Sequence, residues 1–597
     1  MILSKCCQRV EQSLMEGLWR LLLLGWACHF LSCPGLIGAM IIGTPQQCEK
    51  AGFVPGYNLA GEGFDIVKME RKGAYVINME EWRKPNGSCT LVENRYLGQI
   101  KQKLPVAVMD WRALSACKMR VSSRMYESSE SLINDSTSTV TNNWKVGLDV
   151  CVNSTGVALG GTHSREALYT MQKSKEDKYS FTSHDVHCKF YRFRLSTRLP
   201  LQKDFIRSTK RLPHNYGPQT KPAYWDLIDT YGTHYIRKVQ LGGKMKSVTA
   251  IQTCKAALDG LTDTAVKDCL DVEASATFVQ TPRMKAEFHH CKELKKKMGT
   301  KQSFSSMFSD RQSEIVGGKI NTADLLFSGG SDPAAYRDWL ESLKTIPDVV
   351  FYSLKPLHSL MSSKEPAKAG LKKAIEDYIL ENALVKKCSE SCRIGNRISA
   401  RDHCACICNR NENIRSNCCP VGKGLATLRV YGLKGKQLHG DLVTQTDGFV
   451  LVSYGAQEKR TEVINNNDNP DWPESFEFGP VKINMATQLK FKVYDQDSIW
   501  NNELLGACSF ELRQGTVTDT CMFNYGTLFF SYDVTCAPSL GGPKCWDYIP
   551  SPMSISLAKT FHSRNGVLAG ECWFKTLGTN HSGGDDDNLC FYGHSGK

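Results

Sequence analysis

The chain has 597 residues, 41% hydrophobic and 23% charged, which excludes wholesale disorder, collagen and coiled coil. Lysine and arginine number 74 against 61 aspartate and glutamate, and this net charge of +13 permits attraction to an anionic membrane or to nucleic acid without demanding either. Twenty-five cysteines exclude an ordinary reduced cytosolic enzyme and point to disulfides in an oxidising compartment.

At the N-terminus, residues 18–31 are apolar, follow Lys5, Arg9 and Arg20, and precede the small residues Gly38 and Ala39. Residues 1–43 therefore read as a signal peptide and its cleavage region, with an uncleaved signal anchor as the alternative because Leu18 to Gly43 is long enough to span. Four sequons, at Asn86, Asn134, Asn153 and Asn580, suit a secreted, glycosylated chain.

Residues 44–387 alternate strand-like and helical patterns. Lys145 to Val152 and Leu270 to Phe278 each alternate apolar and polar side chains with period two, which predicts half-exposed strands, and Tyr179 to Leu195 reads as extended with a slip midway. Ser331-Asp332-Pro333 predicts a helix start with Tyr336, Trp339, Leu340 and Leu343 inward, and Leu371 to Lys387 predicts a second amphipathic helix. His289-His290-Cys291, beside Lys292 to Lys297, reads as a solvated face.

Residues 388–420 hold little apolar core and seven cysteines, Cys388, Cys392, Cys404, Cys406, Cys408, Cys418 and Cys419, so this piece is stapled rather than packed. Without a Cys-x2-Cys pair, zinc is disfavoured. Residues 421–535 carry short strands, Ala426–Val430, Phe449–Tyr454, Leu489–Tyr494 and Cys508–Leu512, which predict an all-β sandwich. Residues 536–597 read as a tail. Cys508, Cys521, Cys536 and Cys545, with Cys48, Cys89, Cys117, Cys188 and Cys254, are further disulfide candidates whose partners the spacing leaves open. The whole reads as an α+β multidomain chain.

No nucleophile elbow, phosphate loop, His-Glu-x-x-His or dinucleotide fingerprint occurs, so no catalytic constellation is expected. The strongest chemistry lies in the sandwich. Asp441 and Asp447 share one inter-strand loop, and Asp495, Asp497 and Glu503 share another. Five converging carboxylates repel one another unless a cation joins them, and calcium, which takes 6–8 oxygens in irregular geometry, is the expected cofactor.

With Asn467-x-x-Pro-x-Trp472, these acids resemble the C2 domain, which implies that the five are calcium ligands; Glu503 stands where aspartate is usual. Trp500 at the loop tip is then an expected membrane anchor, and His439 stands where an aromatic would anchor the first loop. Tyr231-Gly232-Thr233-His234-Tyr235, Leu241-Gly242-Gly243 and Gly317-Gly318 resemble the membrane-attack-complex/perforin domain, MACPF. The cysteine run resembles a small EGF-like module, and the order MACPF, EGF-like, C2 is that of the perforin family.

That resemblance implies a MACPF/CDC-like bent antiparallel sheet with two helical clusters, near 157–187 and 277–305, that unfurl into β-hairpins and close into a membrane barrel. Both segments are too charged to span as helices, whereas alternate barrel residues face water. The implied partners are a phospholipid membrane, further copies of the chain and, as co-delivered cargo, granule proteases, with no nucleic acid; the implied location is a secretory granule and then a target membrane. A non-lytic calcium-dependent lipid-binding or adhesion protein is the alternative. Val92 replaces an expected cysteine, and of the 21 cysteines from Cys48 onward Cys151 is the candidate to stay unpaired.

Overall fold

The computed structural model describes residues 40–551 apart from 139–143, 151–159, 277–281, 321–324, 328–332, 385–391, 393–394, 397–405, 441–443 and 499–500. Residues 1–39 of the expected signal and cleavage region, Cys151, Asn153, Cys388, Cys404, Asp441, Trp500 and Asn580 thus lie outside the described residues, whereas Ile41–Gly43 at that region's end form a strand paired with Cys89–Leu91.

The N-terminal body is built on one antiparallel sheet. Its strands are β1 (Glu62–Asp65), β2 (Glu70–Tyr75), β3 (Val108–Tyr126), β4 (Tyr179–Leu195), β5 (His234–Gln252), β6 (Arg311–Val316) and β7 (Asp348–Pro356). The order is β2-β1-β5-β4-β3, and β6 and β7 also pair with β5. The expected slip within Tyr179–Leu195 is real: the pairing with β5 shifts between Lys189 and Tyr191, and such an extra residue bends a strand and increases its twist.

Helices flank this sheet as two groups. The first holds α1 (Ser129–Ser138) and α2 (Arg165–Glu176). Beyond α3 (Lys221–Tyr231), the second holds α4 (Thr253–Leu258), α5 (Asp263–Ala276), α6 (Pro282–Lys297) and α7 (Phe304–Met307). The chain continues through α8 (Pro333–Ser342) and α9 (Ala367–Asn382). The expected residues Tyr336 and Trp339 of α8, and Leu343 just after it, are buried. The helix expected from Leu371 to Lys387 begins at Ala367 and ends at Asn382.

Two expected strands are absent. Leu270 to Ala276 is helical, part of α5, because Cys269, Leu270 and Val272 join Ile251, Leu261 and Phe304 in a separate apolar core. Trp144 to Gly147 is a turn and Leu148 to Val150 is irregular. Trp144 and Leu148 are buried in the main core, and Asp149 donates its N–H to Glu376 Oε1 at 2.6 Å. Tertiary contacts here outweigh a local period of two.

The sandwich comprises β8 (Leu425–Lys436), β9 (Gly448–Tyr454), β10 (Gln457–Arg460), β11 (Asp471–Trp472), β12 (Phe476–Lys482), β13 (Leu489–Ser498), β14 (Asn501–Phe510), β15 (Gly515–Phe523) and β16 (Gly526–Cys536). One sheet runs β11-β8-β16-β15 with β12 on β8, and the other runs β10-β9-β13-β14. Ala537, Leu540 and Cys545 belong to its core, so the sandwich extends past residue 535, where the tail was expected to begin.

Disulfides join Cys48 to Cys89, Cys117 to Cys188, Cys254 to Cys419, Cys392 to Cys406, Cys408 to Cys418, Cys508 to Cys521 and Cys536 to Cys545. A further bond joins Cys269 to Cys291. Cys291 is 5% exposed, which corrects the reading of His289-His290-Cys291 as a wholly solvated face. Val92, at 1% exposure, packs in the main core.

Candidate functional site

Three regions carry the expected functional residues. The first is Tyr231–Tyr235 with the Gly317-Gly318 pair, which works as a joint between the sheet and its surroundings. Gly232 follows α3 with φ +78°, and a Cβ there would stand 2.5 Å from the Phe64 carbonyl, so only glycine fits. Thr233 donates its N–H to the Phe64 carbonyl at 2.9 Å and accepts from Ile66 N–H at 3.1 Å through Oγ1. His234 is fully buried, with Nε2 2.8 Å from the Trp144 carbonyl and Nδ1 2.7 Å from Thr233 Oγ1. Burial pushes its pKa down to about 4, against the opposing pull of the Trp144 carbonyl. Tyr231 is buried at the end of α3, and Tyr235 pairs with Gly63. Trp339 Nε1 donates to the Gly317 carbonyl at 2.9 Å and lies against Gly318, which ties the glycine pair to α8.

The second region is the two helical clusters. In the first, Lys246 on β5 reaches Glu166 at 2.5 Å, and Ser136 Oγ donates to the same carboxylate at 3.0 Å. Lys173 and Tyr169 reach Asp310 at 3.0 Å each. Asp177, the cap residue at the end of α2, accepts hydrogen bonds from Gln252, Tyr548 and the Ser551 N–H.

In the second cluster Asp271 takes Lys267 at 2.7 Å, Ser123 Oγ at 2.8 Å and lies 2.8 Å from His184 Nε2. Glu273 accepts the N–H groups of Phe304 and Ser305 at 2.8 Å each, which secures the start of α7. Among the described residues no disulfide joins α5 or α6 to the central sheet; Cys269–Cys291 joins the two helices to each other. Sequence reasoning passed over this bond and the Asp177 hub. The bond had a signal, since its cysteines bracket the alternating run that begins at Leu270.

The third region is the acidic end of the sandwich. Asp495 is 3% exposed. Its Oδ1 accepts the Asp447 N–H at 2.7 Å, and Asp447 Oδ1 accepts the Asn466 N–H at 2.7 Å. Asp495 also pairs across the ladder with Gly448 and with Glu503. A Cβ on Gly440 would stand 1.8 Å from Asp495 Oδ2, so glycine lets the first loop lie against that carboxylate. Asp497 and Glu503 are exposed at the same end. The structure thus brings Asp447 and Asp495 together, with Glu503 directly opposite Asp495 on the neighbouring strand. Among the described residues no three acidic, histidine or cysteine side chains converge as a metal-binding group. The donor set, carboxylates on two loops linked through the Asp447 N–H, suits a hard, oxygen-seeking cation.

Family comparison agrees with this architecture. The MAC/Perforin domain matches residues 54–387, the Perforin-1-like EGF domain residues 387–421 and the C2 domain residues 426–523. Together, the sheet with its paired clusters, the stapled module and the sandwich define a pore-forming MACPF protein with a C2 domain. The chain belongs to the perforin family. It is 39% identical to Perforin-1 of Homo sapiens over 511 residues, 85% of this chain and 92% of that one. It is 37% identical to Perforin-1 of Rattus norvegicus over 513 residues, 85% and 93% of the two chains. Similarity to Complement component C9 of Oncorhynchus mykiss is 23% identity over 410 residues, 61% and 69%. Proteins of this family form pores and are not enzymes, and the same holds for this chain.

Proposed function

We propose that the chain is a calcium-dependent, oligomerising cytolytic protein of immune defence whose two helical clusters, within about 157–187 and 277–305, become membrane-spanning hairpins. The carrying observation is that both clusters are fastened by polar contacts at the ends of long antiparallel strands. No helix among the described residues is long and apolar enough to cross a membrane, but strands extended from β3, β4, β5 and β6 would satisfy their backbones in a closed barrel. Burial of the outer barrel face and strand pairing supply the driving force, with no nucleotide needed.

Asp441, Asp447, Asp495, Asp497 and Glu503 would hold calcium. A bound ion would neutralise the carboxylates and bridge them to lipid phosphate. The Asp447 N–H orients the Asp495 carboxylate, and Trp500 would enter the lipid interface. Binding requires ionised carboxylates, so an acidic granule would suppress it. Secretion, storage in cytolytic granules and co-delivery of granule proteases complete the reading.

The test is dye release from phosphatidylcholine liposomes with co-sedimentation, in calcium and in chelator. Wild-type protein should bind and release only in calcium, and Asp495→Asn with Asp497→Asn should lose calcium-dependent binding by more than about tenfold. Unchanged binding removes the ligand assignment, and binding without release in wild type favours the non-lytic alternative.

A further inference from the structure

The period-two run at Leu270 is helical in this structure, yet its alternation is too regular to ignore. Apolar Leu270, Val272, Ala274 and Ala276 interleave with Asp271, Glu273 and Ser275. A second alternating run lies in α6: Met284, Ala286 and Phe288 interleave with Arg283, Lys285, Glu287 and His289. On the helix this second pattern wastes apolar surface, since Phe288 is 59% exposed and Ala286 is also exposed. The two runs are bounded by Cys269 and Cys291, which are bonded and 22 apart in sequence.

Folding these runs into one hairpin, with the cysteines opposite each other, sets every pair. Val272 then faces Phe288, Ala274 faces Ala286 and Ala276 faces Met284, all on one side of the ladder. Asp271 faces His289 and Ser275 faces Lys285 on the other side. Glu273 meets Glu287, with Lys285 and His289 as diagonal neighbours. Leu270 meets His290 next to the bond, at the watery root of the hairpin. Each arm beyond the bond has about nine residues, which is the length a tilted strand needs to cross hydrocarbon. A slip of one residue would turn the apolar set into the lumen. The bond tolerates both forms: the cysteine Cα atoms are 5.6 Å apart now, and directly opposed antiparallel residues stand about 4.5–5.5 Å apart.

We infer that the Cys269–Cys291 disulfide persists through insertion as the staple that fixes the register of the second hairpin, which sets Val272, Ala274, Ala286 and Phe288 on its lipid side. This rests on the hairpin reading above and moves the second hairpin toward the N-terminal side of the 277–305 window.

The test uses full-length protein on phosphatidylcholine liposomes in calcium. Ala286→Lys and Phe288→Asp alter exposed positions, so folding is spared; each should bind normally and release dye at least about tenfold more slowly than wild type. Glu287→Lys and His289→Lys, on the lumen side, should release dye as wild type does. Peptide mapping of the inserted oligomer should recover the intact Cys269–Cys291 link, and Cys269→Ser with Cys291→Ser should keep binding while losing most release. Loss spread evenly over both parities, or a bond found broken in inserted oligomers, overturns the inference while leaving the pore reading standing. Wild-type binding without release overturns the hairpin reading and this inference with it.

Discussion

Both helical clusters are clasped to the sheet by polar contacts, but the first adds only modest apolar packing, whereas the second adds a larger apolar core and a covalent staple between its own two helices. In the first, Ile133, Ala167 and Met171 form a small buried group, and Lys246, Lys173 and Tyr169 do much of the fastening. In the second, Ile251, Leu261, Val266, Leu270 and Phe304 pack around the Cys269–Cys291 bond. The two meet the same demand, a helix pair that stays folded in water and opens on a membrane, in different ways. Polar clasps can be released one at a time, whereas a stapled pair must move as a unit. The first cluster is therefore expected to open first.

Breaking the Lys246–Glu166 pair is the strongest way to test that contrast. Lys246→Met removes the main partner of a mostly buried carboxylate, which typically costs about 3 kcal/mol. Hydrogen exchange should accelerate across α1 and α2 and stay unchanged in α5 and α6. Equal acceleration in both clusters would mean that they open together.

Acid probes the frame that both clusters share. His234 is kept neutral by burial, with its pKa down at about 4 against 6.5 when exposed. The unfolded chain therefore gains a proton that the folded one lacks as pH falls below 6.5, and stability drops until about pH 4. Between pH 7 and pH 5 this group alone removes about 2 kcal/mol. Urea unfolding at the two pH values should show that loss, and His234→Gln should reduce it. If acid leaves the frame intact, His234 has another source of stabilisation in its charged form.

Much of this architecture was legible beforehand. The α8 stripe, the slip in β4 and the sandwich strands followed from apolar spacing alone. That Asp447 and Asp495 meet was expected from their places in two inter-strand loops, and the Asp447 N–H to Asp495 contact joins those loops. What misled was Leu270 to Ala276, where period two coexists with a helical burial pattern. Leu270 and Ala274 lie four apart on one helix face and also on one strand face, so the same residues satisfy both readings. Tertiary partners decide which is occupied, and they are invisible to a local window. The Asp177 hub was illegible for a related reason: its partners, Gln252, Tyr548 and Ser551, come from distant parts of the chain.

That hub supplies the smallest and most specific prediction. Asp177 ends α2, immediately before β4 begins at Tyr179, so any extension of β4 into the first cluster must strip it of its partners. Tyr548 is one of them, and burial together with the Asp177 carboxylate raises the phenol's pKa, which keeps it a donor at any physiological pH. Tyr548→Phe deletes a single hydrogen bond worth about 1 kcal/mol and leaves the ring in place. If opening of the first cluster limits insertion, the lag before dye release should shorten by up to about fivefold at unchanged calcium-dependent binding. Tyr548 also packs against Cys254 and Ala257 of α4, but phenylalanine keeps that ring contact, so an unaltered lag would assign the slow step to the stapled pair α5–α6 and reverse the expected order of opening.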